Sequence, residues 1–178
     1  ETIPLTRSKQ ERNLQDLSKW AARIRKLPAG AGELDDELLV KAFTACHSSS
    51  EVYKTESIEA VFGSMAALKP KTLAGLADQM RVNMASLWRE PANQERNKTK
   101  RNKKDIEAEV LRGYQVAQGV VKDGMAKYPD HWALLAARAG LMHDELNYRQ
   151  ELGKSATFST ARDEAFKVYQ KAAAEYAK

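Results

Sequence analysis

Residues 105–178, DIEAEVLRGYQVAQGVVKDGMAKYPDHWALLAARAGLMHDELNYRQELGKSATFSTARDEAFKVYQKAAAEYAK, decide the fold. Apolar residues return every three to four positions through three successive segments, which is the period of a helix with one buried face. In the first segment Ile106, Val110, Ala117, Val121 and Met125 share a face with Tyr114 alongside, and Tyr128 and Pro129 close it. The second runs from about Asp130 to Tyr148 and uses Trp132, Leu134, Leu135, Ala139, Met142 and Leu146. After a loop around Gly153 and Ser155, the third opens near Ser159 or Thr160 and carries Ala165, Phe166, Tyr169, Ala172 and Tyr176. Gly113, Gly119 and Gly124 lie inside the first segment. Each costs about 1 kcal/mol relative to alanine in a helix interior, so a neighbouring helix is expected to come close at one or more of them.

The same period extends toward the N-terminus. Ser8 and Glu11 have the spacing of a capping box, in which hydroxyl and carboxylate each satisfy a backbone amide. Leu14, Leu17, Ala21, Ile24 and Leu27 follow at helical intervals with Trp20 at the edge of the stripe, until Pro28, Gly30 and Gly32 break it. A second helix is expected from Asp35 or Asp36, with Leu38, Leu39, Ala42, Phe43 and Cys46 inward. A third is expected from about Glu51 to Leu68, burying Val52, Ile58, Val61, Phe62, Met65 and Leu68 and stopped by Pro70. A fourth opens near Lys71 or Thr72, carries Leu73, Leu76, Ala77, Met80, Met84, Leu87 and Trp88, and ends before Pro91. No strand-like alternation bounded by turn residues interrupts the pattern. The expectation is an all-α fold of about seven helices packed as antiparallel hairpins in one continuous domain. Residues 1–91 form an N-terminal part of about four helices and 105–178 the C-terminal hairpins. Residues 92–104 are a basic connector or an extension of the next helix, since no Gly or Pro separates Ala92 from Arg112.

Composition narrows the class. A hydrophobic fraction of 43% with 30% charged residues excludes a disordered polymer, and no run approaches the roughly 20 apolar residues that span a bilayer. The single cysteine, Cys46, has no partner for an internal disulfide. Glu1 in place of methionine is compatible with loss of a leader or tag or with a longer parent, so a soluble chain is expected, cytoplasmic or exported after leader removal. The net charge of +5 is local: Arg96, Lys98, Lys100, Arg101, Lys103 and Lys104 crowd into nine positions, and the remainder holds 23 basic against 24 acidic residues. A weaker asymmetry sets Arg12, Lys19, Arg23, Arg25 and Lys26 against Glu33, Asp35, Asp36, Glu37, Glu51, Glu56 and Glu59, and is expected to pair adjacent helices.

Ala117, Val121, Gly124 and Pro129 fall at the spacing small, bulky, small, proline, and Ala165, Tyr169 and Ala172 repeat its first three places. This stretch resembles the second helix of a tetratricopeptide repeat, and the helix between resembles a first helix, with Leu135, Ala139 and Met142 near its large, small and large positions. Small residues admit a neighbouring helix and the bulky one fills the hole between helices. The resemblance covers residues 105–178 only. Ala117 and Ala165 are 48 residues apart where the repeat has a period of about 34, which implies an insertion of about 14 residues in the loop after Tyr148. A tetratricopeptide-like stack implies a concave face that binds a peptide or a partner protein.

Nothing in the chain has the spacing of a catalytic or metal motif. His47, His131, His143 and Cys46 form no CxxC, HExxH or paired Glu-x-x-His pattern, and no Gly-rich phosphate loop or nucleophile elbow occurs. No catalytic, cofactor-binding or metal-binding residue is therefore assigned. Cys46 reads as a buried cysteine beside a surface histidine, His143, Asp144 and Glu145 as a solvated helix end, and Trp20, Trp88 and Trp132 as core anchors. The expected function is a non-enzymatic protein–protein interaction or scaffold module. The alternative is an electrostatic binder of nucleic acid or another polyanion through residues 96–104, although that run lacks the interleaved aromatics that stack on bases.

Overall fold

In the computed structural model Pro70 begins a helix instead of ending one. Proline suits a first helical position, where its missing N–H would have no intrahelical partner. The preceding helix ends earlier, at Phe62, because Gly63 takes a left-handed backbone (φ 76°) and its N–H closes onto the carbonyl of Glu59 at 2.8 Å. The helix expected from Glu51 to Leu68 thus stops at Phe62; it is described from Thr55, and residues 51–54 lie outside the described residues. The structure describes residues 7–24, 26, 36–46, 55–63, 65, 68–89, 103–153 and 158–178. Among the described residues it contains seven helices and no strand: α1 (Arg7–Ile24), α2 (Asp36–Ala45), α3 (Thr55–Phe62), α4 (Pro70–Arg89), α5 (Lys103–Lys127), α6 (Trp132–Glu151) and α7 (Phe158–Tyr176). The order of pairing, α4 with α5, α6 with both, and α7 with α6, is compatible with a helical repeat.

α4 organises the core. Leu73, Leu76, Ala77, Met80, Met84, Leu87 and Trp88 are all buried, as their spacing predicts, and Thr72 and Ala74 join them. α5 runs back along α4, and α6 lies against both. At one end Leu73 of α4 and Leu134 of α6 close over Gly124 of α5, while at the other Trp88, Tyr114 and Tyr148 meet, one from each helix. α7 covers another side of α6, burying Ala165 and Ala172. α6 is accordingly buried almost all round, from Ala133 to Tyr148. The N-terminal helices add to the same apolar cluster through Ala21, Leu39, Val40, Phe43, Ile58, Val61 and Phe62. There the Phe43 and Phe62 rings meet edge to face at 5.3 Å, and the Ser18 hydroxyl donates to the Ala60 carbonyl.

Several expectations change. Leu38 points outward at 57% exposure and Val40 replaces it, because α2 is covered only on the side facing α4 and its neighbours. Phe166 is likewise exposed, the α7 seam being closed by Ala165 and Ala172. Trp20 is half exposed at the rim, whereas Trp88 is buried and Trp132 packs partly against the core. Lys19 pairs with Asp16 of its own helix; of the residues expected to pair α1 with the following acids, Arg25, Glu33, Asp35 and Glu51 and the side chains of Asp36 and Glu37 lie outside the described residues. Only residues 152–157 separate α6 from α7, so the excess over a 34-residue period lies in long helices of 20 and 19 residues and not in an enlarged loop. Ser8 falls inside α1, and the side chains of Ser8 and Glu11 lie outside the described residues. Leu27, Pro28, Gly30, Gly32, Val52 and Ser155 do as well.

The glycines of α5 differ in what they do. A Cβ on Gly113 would stand 2.1 Å from Met84 Sδ and 2.8 Å from its Cγ, and one on Gly124 would stand 2.9 Å from Leu134 Cδ2, but one on Gly119 would meet nothing within 4 Å. Gly119→Ala is therefore expected to stabilise the chain by about 1 kcal/mol through helix propensity. Gly113→Ala is expected to destabilise it by about 1–2 kcal/mol, since Met84 is fully buried and must shift. Urea titration of both variants checks this, and shifts of the same sign would refute the close approach at Gly113.

Candidate functional site

The polar features of the C-terminal helices fall into an inlaid ion cluster and an open groove. Asp144, in the interior of α6, is only 5% exposed. Arg81 of α4 reaches it with Nη1 at 2.5 Å from Oδ2 and is held in turn by Asp78, one α4 turn earlier, at 2.8 Å. Arg89 Nη2 and His143 Nδ1 flank the other carboxylate oxygen at 3.8 and 3.4 Å. Burial disfavours the charge on Arg81, but the hydrogen bonds and fields of Asp144 and Asp78 outweigh it and leave the guanidinium above its ordinary pKa. This overturns the reading of His143, Asp144 and Glu145 as a solvated helix end. The cluster ties α4 to α6, because a carboxylate at this depth needs a cation brought by a neighbouring helix. Glu145 accepts two bonds from Arg149 at 2.6 and 2.8 Å and one from Gln118 of α5, which links α5 to α6.

Beside the cluster, Trp88 Nε1 donates to the Tyr114 hydroxyl at 3.3 Å, the Tyr148 ring lies 5.0 Å from Trp88, and Arg89 sits over the Trp88 ring at 4.4 Å. Tyr114 was expected only alongside the apolar face, yet it is fully buried. Burial pushes both phenols up to about 12. The Tyr169 phenol of α7, whose oxygen lies close to Gly140, is also pushed up by burial.

The groove lies between α5 and α6 and encloses about 640 Å³. Val121, Met125, Leu141 and Met142 make its apolar floor, and Gln115, Gln118, Gly119, Lys122 and Arg138 its walls and rim. On the other flank of α5, a smaller cleft of about 290 Å³ is lined by Ile58 and Met65 together with Arg112, Gln115, Val116, Gly119, Val120 and Asp123. Gln115 and Gly119 border both, so the wall between them is lowest where α5 lacks a side chain.

The residues singled out by spacing are scattered among these features. Ala117 and Val121 are buried in α5, Gly124 packs beneath Leu73 and Leu134, and Pro129 is in the exposed turn between α5 and α6. Ala165 and Ala172 are buried in α7 while Tyr169 is partly exposed. Of these only Val121 reaches the groove. Arg96, Lys98, Lys100 and Arg101 lie outside the described residues, whereas Lys103 is the first residue of α5 and Lys104 is exposed on it. Cys46 is half-buried, with its thiol pushed up by desolvation, and His47 lies outside the described residues. His131 is the N-cap of α6, its Nδ1 accepting from the Ala133 amide at 3.2 Å. Among the described residues no group of His, Cys, Asp and Glu is arranged to hold a metal ion, and no helix is long and apolar enough to cross a membrane. Spacing missed Arg81, Asp144, Lys122 and Arg138; the i,i+3 pair Asp78 and Arg81 and an acid inside an otherwise apolar helix were the available signals. No family model matches the chain, and comparison with curated proteins and with solved structures likewise gives no match.

Proposed function

We propose that the chain is a non-enzymatic, tetratricopeptide-like interaction or scaffold module that binds a peptide or partner protein on its C-terminal helical hairpins. The observation that carries this reading is the order of packing in α4 to α7. Two antiparallel hairpins stack through α6, which rests on both helices of the preceding pair, and they leave an open, apolar-floored groove on their surface. Such an arrangement offers a rigid, side-chain-lined surface of the kind that binding proteins use. The test is capture from native extract on the immobilised chain, with mass spectrometry of what is retained. Recovery of the same protein in repeated captures, unaffected by nuclease, is expected. Retention that is nuclease-sensitive and lost when Lys100, Arg101, Lys103 and Lys104 are changed to glutamine would overturn it in favour of a polyanion binder.

A further inference from the structure

The groove between α5 and α6 specifies the chemistry of an occupant, an inference that rests on the interaction-module reading above. Lys122 and Arg138 stand at its rim, both exposed, and no Asp or Glu lines it. Among the described residues neither cation forms an ion pair. Three other cations on these helices are matched: Arg81 by Asp78 and Asp144, Arg149 by Glu145, and Lys171 by Asp130 at 2.7 Å. In the cleft on the other flank of α5, Arg112 shares the lining with Asp123. The α5–α6 groove therefore leaves positive charge over an apolar floor with no carboxylate in its lining, and low-dielectric walls concentrate its field.

We propose that this groove docks an acidic amphipathic segment of a partner protein, its apolar side chains on Met125 and Met142 above the buried Val121 and Leu141, and its carboxylates against Lys122 and Arg138. The lining on α5 runs from Gln115 to Met125, about 15 Å of helix, which matches two to three turns of an incoming helix at about 5.4 Å per turn. Two methionines in the floor adapt to apolar groups of different shape. Gly119 keeps the α5 wall low enough for the incoming backbone to approach.

Phage-displayed random peptides of about twelve residues, long enough for such turns, selected on the immobilised chain, test the proposal. Enriched sequences are expected to combine Asp and Glu with Leu, Ile or Phe at helical spacing. Their binding is expected to weaken at least about tenfold in the double variant Lys122→Glu/Arg138→Glu and to fall with rising salt. Gly119→Trp, which fills the low wall, is expected to abolish binding while circular dichroism stays unchanged. Peptides enriched without acidic bias, or acidic peptides that bind both variants like the parent, would overturn the groove assignment and leave the module reading standing. Self-association of the chain that disappears in the charge-reversed variant would assign the groove to a second copy and overturn the proposal as well. The module reading itself stands or falls separately, on extract capture.

Discussion

Replacing Arg81 by methionine is expected to lower the stability of the fold by about 3 kcal/mol. Methionine keeps the aliphatic stem that lies against Gly140 and removes only the guanidinium. What remains is the Asp144 carboxylate, almost wholly buried, with Arg89 at 3.8 Å as its nearest remaining permanent cation. Arg89 is nearly half exposed, so its field is screened and it does not replace a 2.5 Å contact. Breaking a buried pair from one side costs about 3–5 kcal/mol, and the lower end applies because the Arg81 side chain is a quarter exposed. Arg81→Met combined with Asp144→Leu is expected to recover all but about 1 kcal/mol of the loss, since no charge is then stranded. Chemical denaturation of the two single variants and the double variant measures the coupling. A loss below about 1 kcal/mol for Arg81→Met would show that this pair does not hold α4 to α6.

The second large effect is alkaline. Tyr114 and Tyr148 ionise at about 12 in the folded chain against an ordinary value of 10.0. Between these values the unfolded chain has released two protons that the folded chain retains, so stability falls as pH rises through that window. Below 10.0 the neutral phenols favour neither state, and above about 12 the loss is complete. At about 1.4 kcal/mol per pKa unit, the shift from 10.0 to about 12 lets each phenol remove on the order of 3 kcal/mol. The fold is therefore expected to lose about 5–6 kcal/mol across the window. Urea titrations at a series of alkaline pH values read the slope, and Tyr114→Phe with Tyr148→Phe is expected to flatten it. A double variant with the parent's slope would place the alkaline sensitivity elsewhere.

The legibility of the fold varied from helix to helix for physical reasons. The α4 stripe was read correctly residue by residue because twenty residues sample every angle of the helix and three neighbours cover its apolar arc. α2 has ten residues, too few to distinguish Leu38 from Val40 as the edge of its stripe, so the direction of cover decided. α3 was overextended because Gly63 reads like any helix-tolerated glycine until its backbone turns left-handed. The candidate site was less legible still. Lys122 and Arg138 are ordinary surface cations in sequence, sixteen positions apart, and only the reversal of direction at residues 128–131 sets them on one groove.

By itself the sequence determined that the described chain is a set of helices, roughly where α1, α2, α4, α6 and α7 begin and end, and which faces of α4 and α5 are apolar. Those properties follow from local repetition and from proline and glycine chemistry, which act within a few residues. Only the tertiary structure decided that Asp144 is buried and matched, that Tyr114 is a core residue, that Gly113 admits Met84 while Gly119 admits nothing, and that one groove keeps its positive charge. Each of these depends on what a second helix brings to the same place, and a side chain distant in sequence leaves no trace in the periodicity of the helix it meets.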